Sequence, residues 1–158
     1  MGSSALPHRP APARDRRSPS ERAPPVTTSP TDAKAVVRAY VEAFNAGDFA
    51  RLRGLFTDDA LIWGVLGWGP IDEVVPIWRE LHEALALELT VEALAADGDT
   101  VAARYTERGR SRAPFRDKPA TGKPYELVAM EFFELEGGRI RRRWGARDAA
   151  SQARQLGW

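Results

Sequence analysis

Glu131 is the residue of this sequence best placed for proton chemistry, because the strand pattern around it sets a carboxylate on an apolar face. Gly137-Gly138 reads as a two-residue hairpin turn, since glycine reaches the positive φ values such turns need. A two-residue loop sets Leu135 opposite Ile140, Phe133 opposite Arg142, Glu131 opposite Trp144 and Ala129 opposite Ala146. Side chains alternate along a strand, so Leu127, Ala129, Glu131, Phe133 and Leu135 share one face. Ile140, Arg142, Trp144 and Ala146 continue it, with Arg142 diagonal to Glu131. A carboxylate among apolar groups is costly unless it is paired or used, so the pattern points to a pocket with acid/base chemistry. The plainer alternative is a structural Glu131–Arg142 ion pair.

Other residues offer themselves with less force. Glu107 shares a strand face with Val101, Ala103 and Tyr105, and would be a second inward carboxylate unless the strand end is solvated. Two carboxyls in one cavity push their pKa values apart, which separates an acid from a base. His82 stands one turn from Trp78, either at the edge of a packed helix face or in a pocket, where an imidazole suits proton transfer. Tyr40, Trp63, Trp68, Trp78, Tyr105 and Trp144 would line a cavity for a flat apolar ligand, with Trp68 at its rim. Core packing is the competing use of the same rings.

These side chains need elements to hold them. Ala33, Val36, Val37, Tyr40, Val41 and Phe44 recur at helical spacing after Thr31, a candidate N-cap, and Gly47 stops the helix. Asp48 caps a short second helix through Phe49, Leu52, Leu55 and Phe56. Thr57-Asp58-Asp59 reads as a turn, 60–65 as a strand and 66–70 as a loop. A third helix covers 71–86, and because Pro76 inside a helix loses a hydrogen bond and kinks the axis, its regular part is expected to begin only there. The period then changes from 3.6 to 2: alternation over 87–95, a turn at Asp97-Gly98-Asp99, alternation over 101–112, and the closing hairpin. Helices followed by a run of antiparallel strands make an α+β fold.

Composition excludes several functions. The chain has 158 residues, no cysteine and two histidines, which rules out thiolate chemistry and disfavours a histidine metal site. No Gly-rich phosphate loop or dinucleotide fingerprint is present, since Gly64, Gly67 and Gly69 lack the strand-turn-helix spacing. Residues 1–30 hold seven of the 12 prolines and few large apolar side chains, so a disordered tail is expected there, with the folded domain over 31–158. The tail carries no apolar run resembling a signal peptide, and no stretch is long enough to span a bilayer, so a cytoplasmic protein is expected. The folded part holds 18 basic and 20 acidic residues and makes no electrostatic case for nucleic acid. A basic stripe of Arg104, Arg108, Arg110, Arg112, Arg141 and Arg143, with Glu134 facing Arg141, is expected on the outer sheet surface.

Tyr40-Val41-Glu42-Ala43-Phe44-Asn45-Ala46-Gly47-Asp48, Phe56-Thr57-Asp58-Asp59-Ala60, Asp97-Gly98-Asp99-Thr100-Val101 and Ala120-Thr121-Gly122-Lys123 occur in an order that resembles the SnoaL-like polyketide cyclases. So do Gly137-Gly138-Arg139-Ile140, Arg143-Trp144-Gly145-Ala146-Arg147-Asp148 and Gln155-Leu156-Gly157, and the likeness spans about 32–158. The resemblance implies a cone-shaped barrel like that of nuclear transport factor 2, with three N-terminal helices packed in a curved antiparallel sheet. It implies aldol-type ring closure of polyketide esters by a histidine and a carboxylate, with no metal and no organic cofactor, and it implies a homodimer. This sequence departs at one point. Gly109-Arg110-Ser111 stands where the family has Gly-Thr-His, so Ser111 takes the histidine's place, while Glu131 replaces the usual aspartate.

The expected function is therefore a cofactor-independent cyclase or isomerase acting on a hydrophobic carbonyl substrate. Glu131 would move the proton, Arg142 would set its charge, Glu107 would be a second acid, and Ser111 or Tyr105 would bond the enolate oxygen. The alternatives are a non-catalytic small-molecule-binding or dimerisation module of the same fold, and an epoxide hydrolase, against which the lack of an Arg-x-Asp pair on one strand weighs.

Overall fold

The computed structural model describes residues 30–64 and 67–158. The expected disordered tail, apart from Pro30, lies outside the described residues, as does the side chain of Thr31. Helix α1 (Pro30–Asn45) buries Ala33, Val37, Tyr40, Val41 and Phe44 along one stripe. Its last residue ties it to the sheet: Asn45 Nδ2 donates to Leu89 O at 2.8 Å, and Leu89 N donates to Asn45 Oδ1 at 2.9 Å. Helix α2 (Phe49–Gly54) starts at Asp48, whose carboxylate accepts from Arg51 N at 2.9 Å. Strands β1 (Phe56–Gly64) and β2 (Gly67–Pro70) follow, then helix α3 (Ile71–Leu85). Phe56, expected on the second helix, and the expected turn at 57–59 are thus strand, and much of the expected loop at 66–70 pairs as β2. Pro76 lies within α3, which is regular from Ile71 onward.

Strands β3 (Glu88–Asp97), β4 (Thr100–Arg110), β5 (Pro124–Glu136) and β6 (Arg139–Arg147) complete one sheet in the order β2-β1-β6-β5-β4-β3. The sheet is mixed rather than wholly antiparallel, because β1 runs parallel to β6. One face covers α1 and α3; Phe56, Ile62, Tyr105, Phe133 and Ile140 are fully buried there. A last helix, α4 (Ala149–Leu156), absent from the sequence reading, seats on the start of β5. Gln155 holds it there, donating from Nε2 to Glu126 O at 2.8 Å and accepting from Glu126 N at 3.0 Å.

The hairpin turn forms as expected, with φ of 58° and 77° at Gly137 and Gly138. Beyond it the ladder departs from the simple alternation. Leu135 pairs with Ile140, but the next residue, Glu134, pairs with Arg142, so Arg141 is an extra residue in β6. Such a bulge moves every later side chain of its strand to the opposite face. Phe133 therefore faces Arg143, Phe132 faces Trp144 and Glu131 faces Gly145. The expected pairing of Glu131 with Trp144 is corrected by one residue, on the β6 side only.

Candidate active site

Glu131 keeps the inward place that β5 alternation gives it and is 8% exposed. The bulge brings Arg143, not Arg142, to its side: Arg143 Nη2 donates to Glu131 Oε1. Tyr40, from α1, donates its hydroxyl to the same oxygen at 3.4 Å. The Arg143 guanidinium lies 5.2 Å from the centroid of the Trp78 ring, a cation–π contact supplied by α3. Glu131 Oε2 is buried and meets no hydrogen-bond donor among the described residues. A buried acceptor in that condition costs stability unless something else satisfies it.

A second cluster repeats this pattern at another depth. Glu107, 3% exposed, accepts from Tyr125 Oη at 2.8 Å and from Arg147 Nη2, both at Oε1. Tyr125 reaches it by crossing Gly109, its ladder partner, where a Cβ would fall 2.6 Å from the phenol ring. Burial is the main influence on the Glu107 carboxyl and holds it above its ordinary range, against the opposing pull of Arg147 and then Tyr125. Burial likewise pushes up the hydroxyls of Tyr40, Tyr105 and Tyr125, so all three phenols remain donors.

Both clusters line one cavity of about 330 Å³ enclosed by the sheet and α1, α3 and α4. Its walls are largely apolar, including Phe44, Ile62, Leu81, Leu85 and Leu89, while Phe115, Arg116 and Trp158 stand at its rim. A mainly apolar concavity with a few converging polar groups is the usual form of a small-molecule site. Among the described residues no group of histidine and carboxylate side chains could hold a metal ion.

The structure brings Glu131, Glu107, Tyr40 and Trp78 to this cavity and leaves the other expected site residues elsewhere. Arg142 is exposed on the outer face opposite Glu134, so its expected role beside Glu131 is corrected to Arg143. For the same reason Arg143 leaves the expected outer basic stripe, and Arg141 pairs with Glu136 at 3.1 Å instead of facing Glu134. Ser111 is fully buried, and its hydroxyl accepts from Thr121 N at 3.0 Å; it latches the β4–β5 connection and does not line the cavity. His82 packs edge-on against Phe44 and Phe49 and approaches Asn45 O at 3.4 Å, in a separate shallow hollow. Tyr105 is buried in the core without lining the cavity. Trp63, Trp68 and Trp144 lie on the outer sheet face, in edge contact with one another. Arg143, Arg147, Tyr125 and Gln152 were not singled out from sequence as site residues. Tyr125 was within reach, since it shares the parity of Glu131 along β5.

The SnoaL-like domain model matches residues 37–143, from the middle of α1 to the middle of β6. The chain belongs to the SnoaL-like domain family. Solved structures with this SnoaL-like fold include IdmH from Streptomyces antibioticus, a candidate polyketide cyclase. It is 26% identical, with a TM-score of 0.71 over 80% of this chain and 99% of that one. A candidate polyketide cyclase from Xanthomonas campestris has 21% identity and a TM-score of 0.76, over 82% of this chain and 99% of its own. An LEH-like epoxide hydrolase from M. tuberculosis has 19% identity and a TM-score of 0.65, over 80% and 90%. No curated protein sequence matches this SnoaL-like chain. Among its described residues no helix is long and apolar enough to cross a membrane.

Proposed function

We propose that this protein is a cofactor-independent cyclase or isomerase that moves a proton next to a carbonyl of a hydrophobic, polyketide-type substrate. The observation that carries this reading is the state of Glu131: one oxygen is held by Arg143 and Tyr40, and the other is buried without a donor in an apolar cavity. Glu131 acts as the base, and Arg143 balances the charge that it carries. Glu107 is the acid, because its burial favours the protonated form that can donate to a carbonyl oxygen. A well-placed proton transfer contributes roughly 100- to 10,000-fold, enough for the activated carbon between two carbonyls.

Glu107 pairs with Leu127, four places along β5 from Glu131, which sets the backbones of the two acids roughly 13 Å apart along the sheet. That separation suits a ring closure in which a carbon acid and a distant carbonyl belong to one extended molecule. It suits epoxide hydrolysis less, because an epoxide asks the water-activating base and the acid to meet across three atoms. A non-catalytic binding module would use the same cavity with both ion pairs as mere supports.

Deuterium uptake at the central carbon of 1-benzoylacetone, followed by proton NMR, separates these readings. The wild-type protein accelerates the uptake, and Glu131→Gln lowers the acceleration by about 100-fold or more. Uptake no faster than in buffer, or undiminished in Glu131→Gln, rejects the acid/base reading.

The protein is further proposed to act as a homodimer joined through the outer sheet face. Ala95, Ala102, Phe132, Trp144, Trp63 and Trp68 are successive partners across all six strands and form one apolar row. With Leu61, Val128 and Met130 they leave on the order of 600 Å² of apolar surface in water, close to what one subunit contributes to a stable interface. Arg104 flanks the row on one side and Glu134 on the other, and neither is ion-paired among the described residues. Two copies related by a twofold axis along the row bring these opposite charges toward each other.

A further inference from the structure

We propose that Gln152 binds the substrate: its side-chain amide and Glu107 together hold a neutral carbonyl oxygen at the α4 end of the cavity. This assignment rests on the acid/base reading above and deepens it by giving the substrate a direction.

Helix α4 is a fixed platform. Asp148 caps its start, accepting from Ser151 N at 2.8 Å, and Gly157 closes it at a φ of 78°. Leu156 is fully buried, and Gln155 clamps the helix to Glu126. Gln152 faces inward from this platform, lines the cavity between Ala149 and Ala153, and is 7% exposed. Its Nε2 is shut off from water and has no hydrogen-bond partner among the described residues. Packing alone would be served as well by a methionine of similar length, without the cost of a buried unsatisfied donor. The terminal torsion of a glutamine is broad and close to twofold, so a half-turn presents the amide hydrogens to a ligand at small cost.

The position of α4 puts this donor beside the second carboxyl. Asp148 N reaches Val128 O at 3.4 Å and Gln155 grips Glu126, while Glu107 stands opposite Leu127, the residue between them. Both hydrogen bonds that Glu107 accepts converge on Oε1, which leaves Oε2 as the seat for a proton. Two donors, one amide and one carboxylic acid, call for an oxygen that accepts twice, as a carbonyl does. Arg147, the cation at this end, already donates through Nη2 to Glu107 Oε1. The oxygen is therefore fixed at the α4 end, and the acidic carbon extends toward Glu131.

The test uses the full-length protein with two probes, 2-acetonaphthone and its oxygen-free isostere 2-isopropenylnaphthalene. In wild type, the ketone shifts the assigned Gln152 side-chain amide resonances downfield, the isostere does not, and the ketone binds about tenfold more tightly. Gln152→Met lowers ketone affinity by about tenfold while isostere affinity stays within about twofold, which also reports an intact cavity. A ketone that leaves the Gln152 amide resonances unmoved, or a Gln152→Met protein that still prefers the ketone, overturns the assignment and leaves the role of Glu131 standing. The wild-type resonance measurement decides the matter even if the variant does not fold. Failure of both probes to bind wild type overturns the carbonyl-cavity reading, and this assignment with it.

Discussion

Gly145 stands directly across the β5–β6 ladder from Glu131, and a Cβ at that position would fall 2.7 Å from the Arg143 guanidinium. The missing side chain is what lets Arg143 fold back along its own strand to the carboxylate. Gly145→Ala should displace the guanidinium, which is the flexible end of its side chain, and leave the backbone in place. We expect deuterium uptake by 1-benzoylacetone to fall at least tenfold, with a melting temperature lowered by less than in Arg143→Met, because the displaced guanidinium stays near the carboxylate. Unchanged uptake would show that Arg143 need not touch Glu131.

The Glu131–Arg143 pair is buried, so losing one partner strands the other's charge. Arg143→Met should destabilise the fold by about 3–5 kcal/mol, whereas Glu131→Gln combined with Arg143→Met should recover most of that loss. Urea unfolding of the three variants measures the coupling. Additive losses would mean that the two side chains do not support each other.

Glu107 gives stability a defined pH dependence. Burial raises its carboxyl above the ordinary value of 4.5, so the folded state binds this proton more tightly than the unfolded chain does. The resulting stabilisation is fully present below pH 4.5 and disappears as pH rises through the raised folded value. Over that window the wild-type melting temperature should decline relative to Glu107→Gln, and turnover that needs the protonated acid should decline with it. Parallel melting curves for the two proteins across pH 4 to 8 would contradict this account.

The aromatic row of the outer sheet face predicts the oligomeric state. Phe132→Lys, at the centre of the row, should convert a dimer to a monomer in sedimentation velocity and leave uptake per chain reduced by no more than about twofold. A wild type that sediments as a monomer at micromolar concentration would end the proposed assembly.

Ala86 closes helix α3 in the left-handed region, at a φ of 46°. A side chain there is strained by roughly 1 kcal/mol, which glycine avoids. Ala86→Gly should raise the melting temperature by about 2–4 °C in thermal unfolding, and a lower one would mean that the Ala86 side chain earns its place by packing.

Much of the fold was legible because it rests on local physics. The period-3.6 stripe of α1, the glycine turn at 137–138 and the strict alternation of β5 each follow from sterics that neighbouring residues settle among themselves. Helix α4 was missed because eight residues with Leu156 as their one large apolar side chain give no periodic signal.

The sequence by itself determined that Glu131 points inward, because alternation along β5 is decided strand by strand. Which arginine meets it was a tertiary decision. Arg141, Arg142 and Arg143 are three identical residues in a row, so no contrast in polarity marks which of them is set aside. The choice fell to the bulge, fixed where β6 pairs with β5 on one side and with β1 on the other. Those partners are distant in the chain, and no local pattern in β6 records them.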